Sequence, residues 1–155
     1  PSLVGSEMCI RDRITIEYAL RTAWQSVTNM YNDKASAYNS TMSMGFTLLS
    51  IDAEGTPSTA LGPKMGIEST SLSRILNSLE KRGYIKRKPN PNDGRGVLIF
   101  LTKKGKEKRD ISKKTVIEFN NSIIKNMNSK KMKHFFEVID YIKTTVEQKE
   151  LINAK

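Results

Sequence analysis

Ser69, Thr70, Ser71, Ser73 and Arg74 crowd the start of a segment whose apolar residues recur with helical spacing. Hydroxyls donate and accept hydrogen bonds, and a guanidinium offers parallel donors in a fixed fork. A DNA major groove is about as wide as a helix, so small polar side chains at a helix start can reach base edges there. Leu72, Ile75 and Leu79 would hold the opposite face to the rest of the domain. Arg74 can take guanine bidentately or a phosphate oxygen. Capping is the other chemistry open to Ser69, Thr70 and Ser71, because helix starts favour Ser and Thr.

A second group follows at Lys86-Arg87-Lys88 and Asp93-Gly94-Arg95. An arginine on a thin loop can enter the minor groove, where the potential is most negative. Asp93 can fix its direction by accepting from a loop amide or from the guanidinium. Lys86, Arg87 and Lys88 suit phosphate better than bases. The 155-residue chain carries a net charge of +10, and eleven basic side chains against two acids lie between Lys81 and Arg109. Nearly all the excess charge therefore sits in one segment, as a polyanion-binding surface requires.

Other chemistries find few residues. There is one cysteine, Cys9, and one histidine, His134, so a disulfide framework and a Cys/His metal cluster are both excluded. His134 stands in Lys131-Met132-Lys133-His134-Phe135 with no nucleophile motif around it, and no glycine-rich phosphate loop occurs. Glu137 with Asp140 and Glu147 with Glu150 are spaced as solvated helix acids. No apolar run approaches the ~18 residues of a membrane span. No enzyme, cofactor, metal or membrane role is expected, and the cytoplasm is the expected compartment.

The elements that must position the polar groups follow from periodicity. Ile16, Leu20, Ala23, Val27 and Tyr31 stack on one face of a first helix over 14–37. Met42, Phe46 and Leu49 mark a second over 40–53, ended by Glu54-Gly55-Thr56-Pro57. A short third helix spans 58–64, with Pro63 awkward inside it. Gly66 turns the chain into the fourth, which ends at Gly83. Residues 84–88 and 97–101 read as strands around an eight-residue loop, 89–96. Thr102 caps a fifth helix, striped by Val116, Phe119, Ile123 and Met127. After Asn128-Ser129, Met132, Phe135, Phe136, Ile139, Ile142 and Val146 stripe a sixth, ending near Leu151. Residues 1–13 fit none of this and resemble translated adapter or cloning sequence.

The expected fold class is mostly α, a winged helix-turn-helix with a helical dimerisation region: six helices and a two-stranded wing. Residues 14–151 form a single unit, divided into N-terminal helices (14–53), the winged module (57–102) and C-terminal helices (103–151). Three long helices outside the module each carry an apolar face, and a second copy of the chain would cover them. Trp24, Tyr31, Tyr38, Met42, Met44 and Phe46 on the first two helices are core residues or the lining of a small aromatic effector's pocket.

Certain phrases resemble the MarR family of bacterial transcriptional regulators. They are Gly66-Ile67-Glu68-Ser69-Thr70-Ser71-Leu72-Ser73-Arg74-Ile75-Leu76, Leu79-Glu80-Lys81-Arg82-Gly83-Tyr84-Ile85, Asp93-Gly94-Arg95 and Leu101-Thr102-Lys103-Lys104-Gly105. The resemblance implies a homodimer on a pseudo-palindromic double-stranded operator. It also implies a fourth helix reading the major groove, Arg95 in the minor groove supported by Asp93, and release by a small effector. Leu61-Gly62-Pro63-Lys64-Met65 departs from the family's L-A-x-x-L phrase. A winged helix that binds RNA or a protein partner, without operator preference, is the alternative.

Overall fold

A computed structural model of the chain describes residues 14–148. Cys9, the whole 1–13 segment, Glu150 and the helix end expected near Leu151 lie outside the described residues. The elements run α1 (Ile16–Ser36), α2 (Met42–Ser50), β1 (Thr56–Pro57), α3 (Ser58–Met65), α4 (Ser69–Lys81), β2 (Ile85–Asn90), β3 (Asp93–Leu101), α5 (Lys103–Ile124) and α6 (Ser129–Glu147). Residues up to Ser112 make one compact unit and residues from Lys113 a second.

The core of the first unit is aliphatic. Leu61, Leu79 and Ile99 are fully buried, joined by Leu48, Leu72, Leu76 and Ile85. Leu72, Leu76 and Leu79 recur at steps of four and three, so one face of α4 enters the core while its polar face stays outside. Buried Thr47 donates to the Ser43 carbonyl at 2.7 Å, which satisfies its hydroxyl inside α2.

Three details differ from expectation. Pro63 does not break α3, which runs through it to Met65. The bond it forfeits is to the carbonyl of Thr59, an exposed residue whose oxygen water can serve. Gly66 then takes the left-handed conformation (φ 67°) that stops the helix, and the Ile67 amide donates back to the Gly62 carbonyl. Second, the sheet has three strands in the order β1-β3-β2, all antiparallel, because Thr56 and Pro57 pair with Ile99 and Leu98. Two residues are too few to show a period of two. Third, the eight-residue loop is replaced by pairing as far as Asn90 and Asp93, with an irregularity at Pro89/Asn90. β2 is an edge strand, so Pro89 needs no amide donor there.

Thr102 secures the passage from wing to α5. Its hydroxyl accepts from the Gly105 amide at 3.0 Å and donates to the Gly83 carbonyl at 2.6 Å, while its own amide donates to the Tyr84 carbonyl at 3.0 Å. Thr102→Val keeps the shape and removes both side-chain bonds. It is expected to destabilise the fold by about 1–2 kcal/mol, lowering Tm by roughly 3–8 °C in a thermal melt. A melt unchanged within a degree would show that the cap contributes nothing.

The second unit has little interior of its own. No described residue of α6 is buried, and Phe135, Phe136, Val138, Tyr141 and Val146 are each more than half exposed. The two phenylalanine rings meet edge to face at 5.2 Å. Asn128 caps α6 by accepting from the Lys131 amide at 2.7 Å.

Candidate nucleic-acid interface

α4 begins without a side-chain cap. Its N-cap is Glu68, which makes no capping hydrogen bond, and Ser69 is already the first helical residue. The hydroxyls of Ser69, Thr70 and Ser71 therefore do not cap α4, and all three residues are exposed. Ser73 differs, because its hydroxyl donates to the Ser69 carbonyl at 2.9 Å. Its donor is engaged one turn back, a common habit of serine in helices. The Arg74 side chain is exposed and makes no hydrogen bond or ion pair with another described residue.

The wing tip is held by two short side chains. Asn90 accepts from the Asn92 amide at 3.0 Å, and Asp93 accepts from the Arg95 amide at 3.1 Å. Asp93 thus steadies Arg95 through its backbone, one of the two ways its position allows. Gly96 is needed beside it, since a Cβ there would lie 2.9 Å from the Asp93 carboxylate. The Arg95 side chain has no partner among the described residues and is exposed.

The wing strand sorts its three cations by alternation. Ile85 enters the core, so Arg87 lies on the same face and Lys86 and Lys88 on the other. Arg87 reaches α4, donating to Asn77 at 2.9 Å and to Glu80 at 3.2 Å. Lys88 sits 5.2 Å from the centre of the Phe100 ring. Lys86 is exposed and has no partner among the described residues. The expected phosphate contacts at Arg87 and Lys88 are thus side chains with protein partners. Asn77 and Glu80 are the residues missed, and the signal was present: a period-two strand carries Arg87 toward α4 whenever Ile85 faces the core.

Behind the wing, Arg82 donates to the Asn39 carbonyl at 2.6 Å, tying the α1–α2 loop to the end of α4. Lys104 and Lys108 lie over the Tyr84 ring at 5.4 and 6.0 Å, and Lys108 also lies 5.8 Å from the Tyr38 ring.

The aromatic set is dispersed. Tyr31 is buried and meets Phe46 edge-on at 5.5 Å, and burial pushes its phenol pKa up. Trp24 is 58% exposed, two turns earlier on α1. Tyr38 lies beyond α1 under Lys108, and Met42 opens α2 with its amide donating to Asn32. His134 meets Glu137 at 3.1 Å on α6, exposed. Among the described residues, no three His, Cys, Asp or Glu side chains are placed to hold a metal ion, and no helix is long and apolar enough to cross a membrane.

The sequence pattern of the MarR family matches residues 41–97, from the cap of α2 to the middle of β3. The regulator SarZ of Staphylococcus epidermidis is 31% identical over 101 residues, which are 62% of this chain and 68% of SarZ. The chain belongs to the MarR family. YdgJ of Bacillus subtilis, an uncharacterised helix-turn-helix transcriptional regulator, is 28% identical over 90 residues, 58% of this chain and 55% of its own. The chain spans about half the length of the first curated relatives it matches. The crystal structure of the Staphylococcus aureus MepR–DNA complex superposes with a TM-score of 0.79, covering 86% of this chain and 99% of that one. At 16% identity this likeness is one of fold, and it spans the MarR-type helices as well as the winged module.

Proposed function

We propose that the protein is a subunit of a double-stranded DNA-binding transcriptional regulator that acts as a homodimer on an inverted repeat. The observation that carries this reading is the pattern of unpartnered groups. Thr70, Ser71 and Arg74 on α4, and Lys86 and Arg95 on the wing, are exposed and unengaged, while their basic neighbours Arg82, Arg87, Lys88, Lys104 and Lys108 have protein partners. α4 supplies small donors and acceptors for base edges, and the wing supplies an arginine for the minor groove. The relatives' role as transcriptional regulators agrees with this and involves no catalysis.

Pairing is supported by the uncovered apolar faces. Phe135, Phe136, Val138, Tyr141 and Val146 on α6, and separately Ile16, Leu20 and Trp24 on α1, would be covered in a symmetric dimer. Half-sites would then lie about one helical turn apart, ~34–36 Å. A small effector that favours one separation of the DNA-reading modules would release the dimer by population shift. The division into residues 14–53, 57–102 and 103–151 is that of N-terminal helices, reading module and dimerisation helices, and the cytoplasm is where such a protein works.

The test is selection of bound duplexes from a random pool. The expected product is an inverted repeat that outcompetes structured RNA. Ser71→Ala and Arg74→Ala are expected to change the selected sequence, each by about 1–3 kcal/mol at the affected base pair. Lys86→Ala should weaken all sequences alike. Equal binding of RNA and duplex, with no repeat selected, would favour a winged helix serving RNA or a protein.

A further inference from the structure

The three consecutive cations of β2 look equivalent in the sequence, yet the structure separates them. Arg87 lies opposite Ile99, at the rim of the core face, and its guanidinium spans two side chains one turn apart on α4. Nη2 donates to Asn77 at 2.9 Å and Nη1 to Glu80 at 3.2 Å. The pair with Glu80 is about one third exposed on the arginine side, so it is partly shielded from solvent. A planar fork can serve two acceptors at once, whereas a lysine ammonium is a point charge without that geometry.

We propose that Arg87 is a positioning residue: it braces the wing against α4 and thereby fixes how far Arg95 stands from Thr70, Ser71 and Arg74. Two projections that must enter neighbouring grooves need a fixed separation. A two-stranded ribbon with a free tip does not hold that separation alone. The brace also neutralises Glu80, a carboxylate on the helix that approaches phosphate. This inference rests on the DNA-binding reading above, but part of its test does not.

The variants are Arg87→Gln, Arg87→Lys, Glu80→Gln, Asn77→Ala and the double change Arg87→Gln with Glu80→Gln, each in the full chain. Glu80 and Asn77 are exposed, so these two changes leave the core intact even if Arg87 variants prove unstable. Without DNA, the brace requires faster amide hydrogen exchange across the wing strands in every variant, with the helical core unchanged. Exchange at the wing identical to the parent would overturn it, whatever the protein binds. With the duplex selected by the parent protein, each single variant is expected to bind about tenfold more weakly, the scale of a charge-assisted bond lost from both subunits. The double variant should be no weaker than Arg87→Gln, and the salt slope should keep its parental value. A phosphate ligand at position 87 gives a different pattern. Arg87→Lys would then bind well, Glu80→Gln would bind more tightly, and Arg87→Gln would flatten the salt slope by about one per subunit. That pattern sinks the brace. A parent protein that selects no duplex sinks the DNA reading instead, and the exchange result still decides the brace.

Discussion

Raising salt from about 50 to about 200 mM is expected to weaken binding to the selected duplex by roughly three orders of magnitude. The magnitude follows from counting the cations that are free to meet phosphate on the two reading elements. Arg74, Lys86 and Arg95 are exposed and unengaged among the described residues, and a symmetric pair doubles them. About six neutralised phosphates give a slope near −0.9 each against the logarithm of salt. Every basic residue from Lys81 to Arg109 acting in both subunits would give a slope far steeper than that. The engaged side chains set the difference: Arg82 holds the Asn39 carbonyl, Arg87 holds α4, and Lys88, Lys104 and Lys108 lie over rings. Titrations at four or five salt concentrations measure the slope directly. A slope shallower than about −2 would show that charge does not drive binding, and one beyond about −12 would show that the engaged cations reach the DNA too.

How much of this was legible in the sequence depends on the range of each interaction. Helices α1 to α6 were readable because each repeats an apolar step over two turns or more, and their bounds agree to within about three residues wherever described. Gly66 and Gly83 were readable as stops because a positive φ has few other tenants. β1 was not readable, since its two residues gain their strand character only from β3. The wing tip was misjudged because Pro89, Pro91 and Gly94 signal a loop locally, while pairing across β2 and β3 decides the outcome. At the site, residue types were legible and engagements were not. Lys86, Arg87 and Lys88 differ only in what lies opposite them: solvent, α4 and the Phe100 ring. Ser73 and Ser71 likewise differ only in whether the hydroxyl turns back to a carbonyl.

Gly105→Ala is expected to destabilise the fold by roughly 3–5 kcal/mol, which is most of what a domain of this size commonly has to lose. The Leu101-Thr102-Lys103-Lys104-Gly105 phrase gets its glycine from a crossing of two backbones. Gly105 is buried in the first turn of α5, and a Cβ there would collide with the carbonyl of Tyr84. That carbonyl cannot step aside, because it also accepts the Thr102 amide at 3.0 Å. Tyr84 in turn is fixed by its amide bond to Leu79 at 2.9 Å, across the Gly83 turn that ends α4. One methyl group would therefore push on the end of the reading helix, the root of the wing and the start of α5 together. Gly94→Ala is the control. It lies at the wing tip with open space around its Cβ position and no positive φ, so alanine there should change stability by less than about 1 kcal/mol. Denaturant melts of both variants against the parent decide the matter. If the Gly105→Ala protein unfolds at the parental midpoint, the close crossing is not a constraint, and the glycine in that phrase needs another cause.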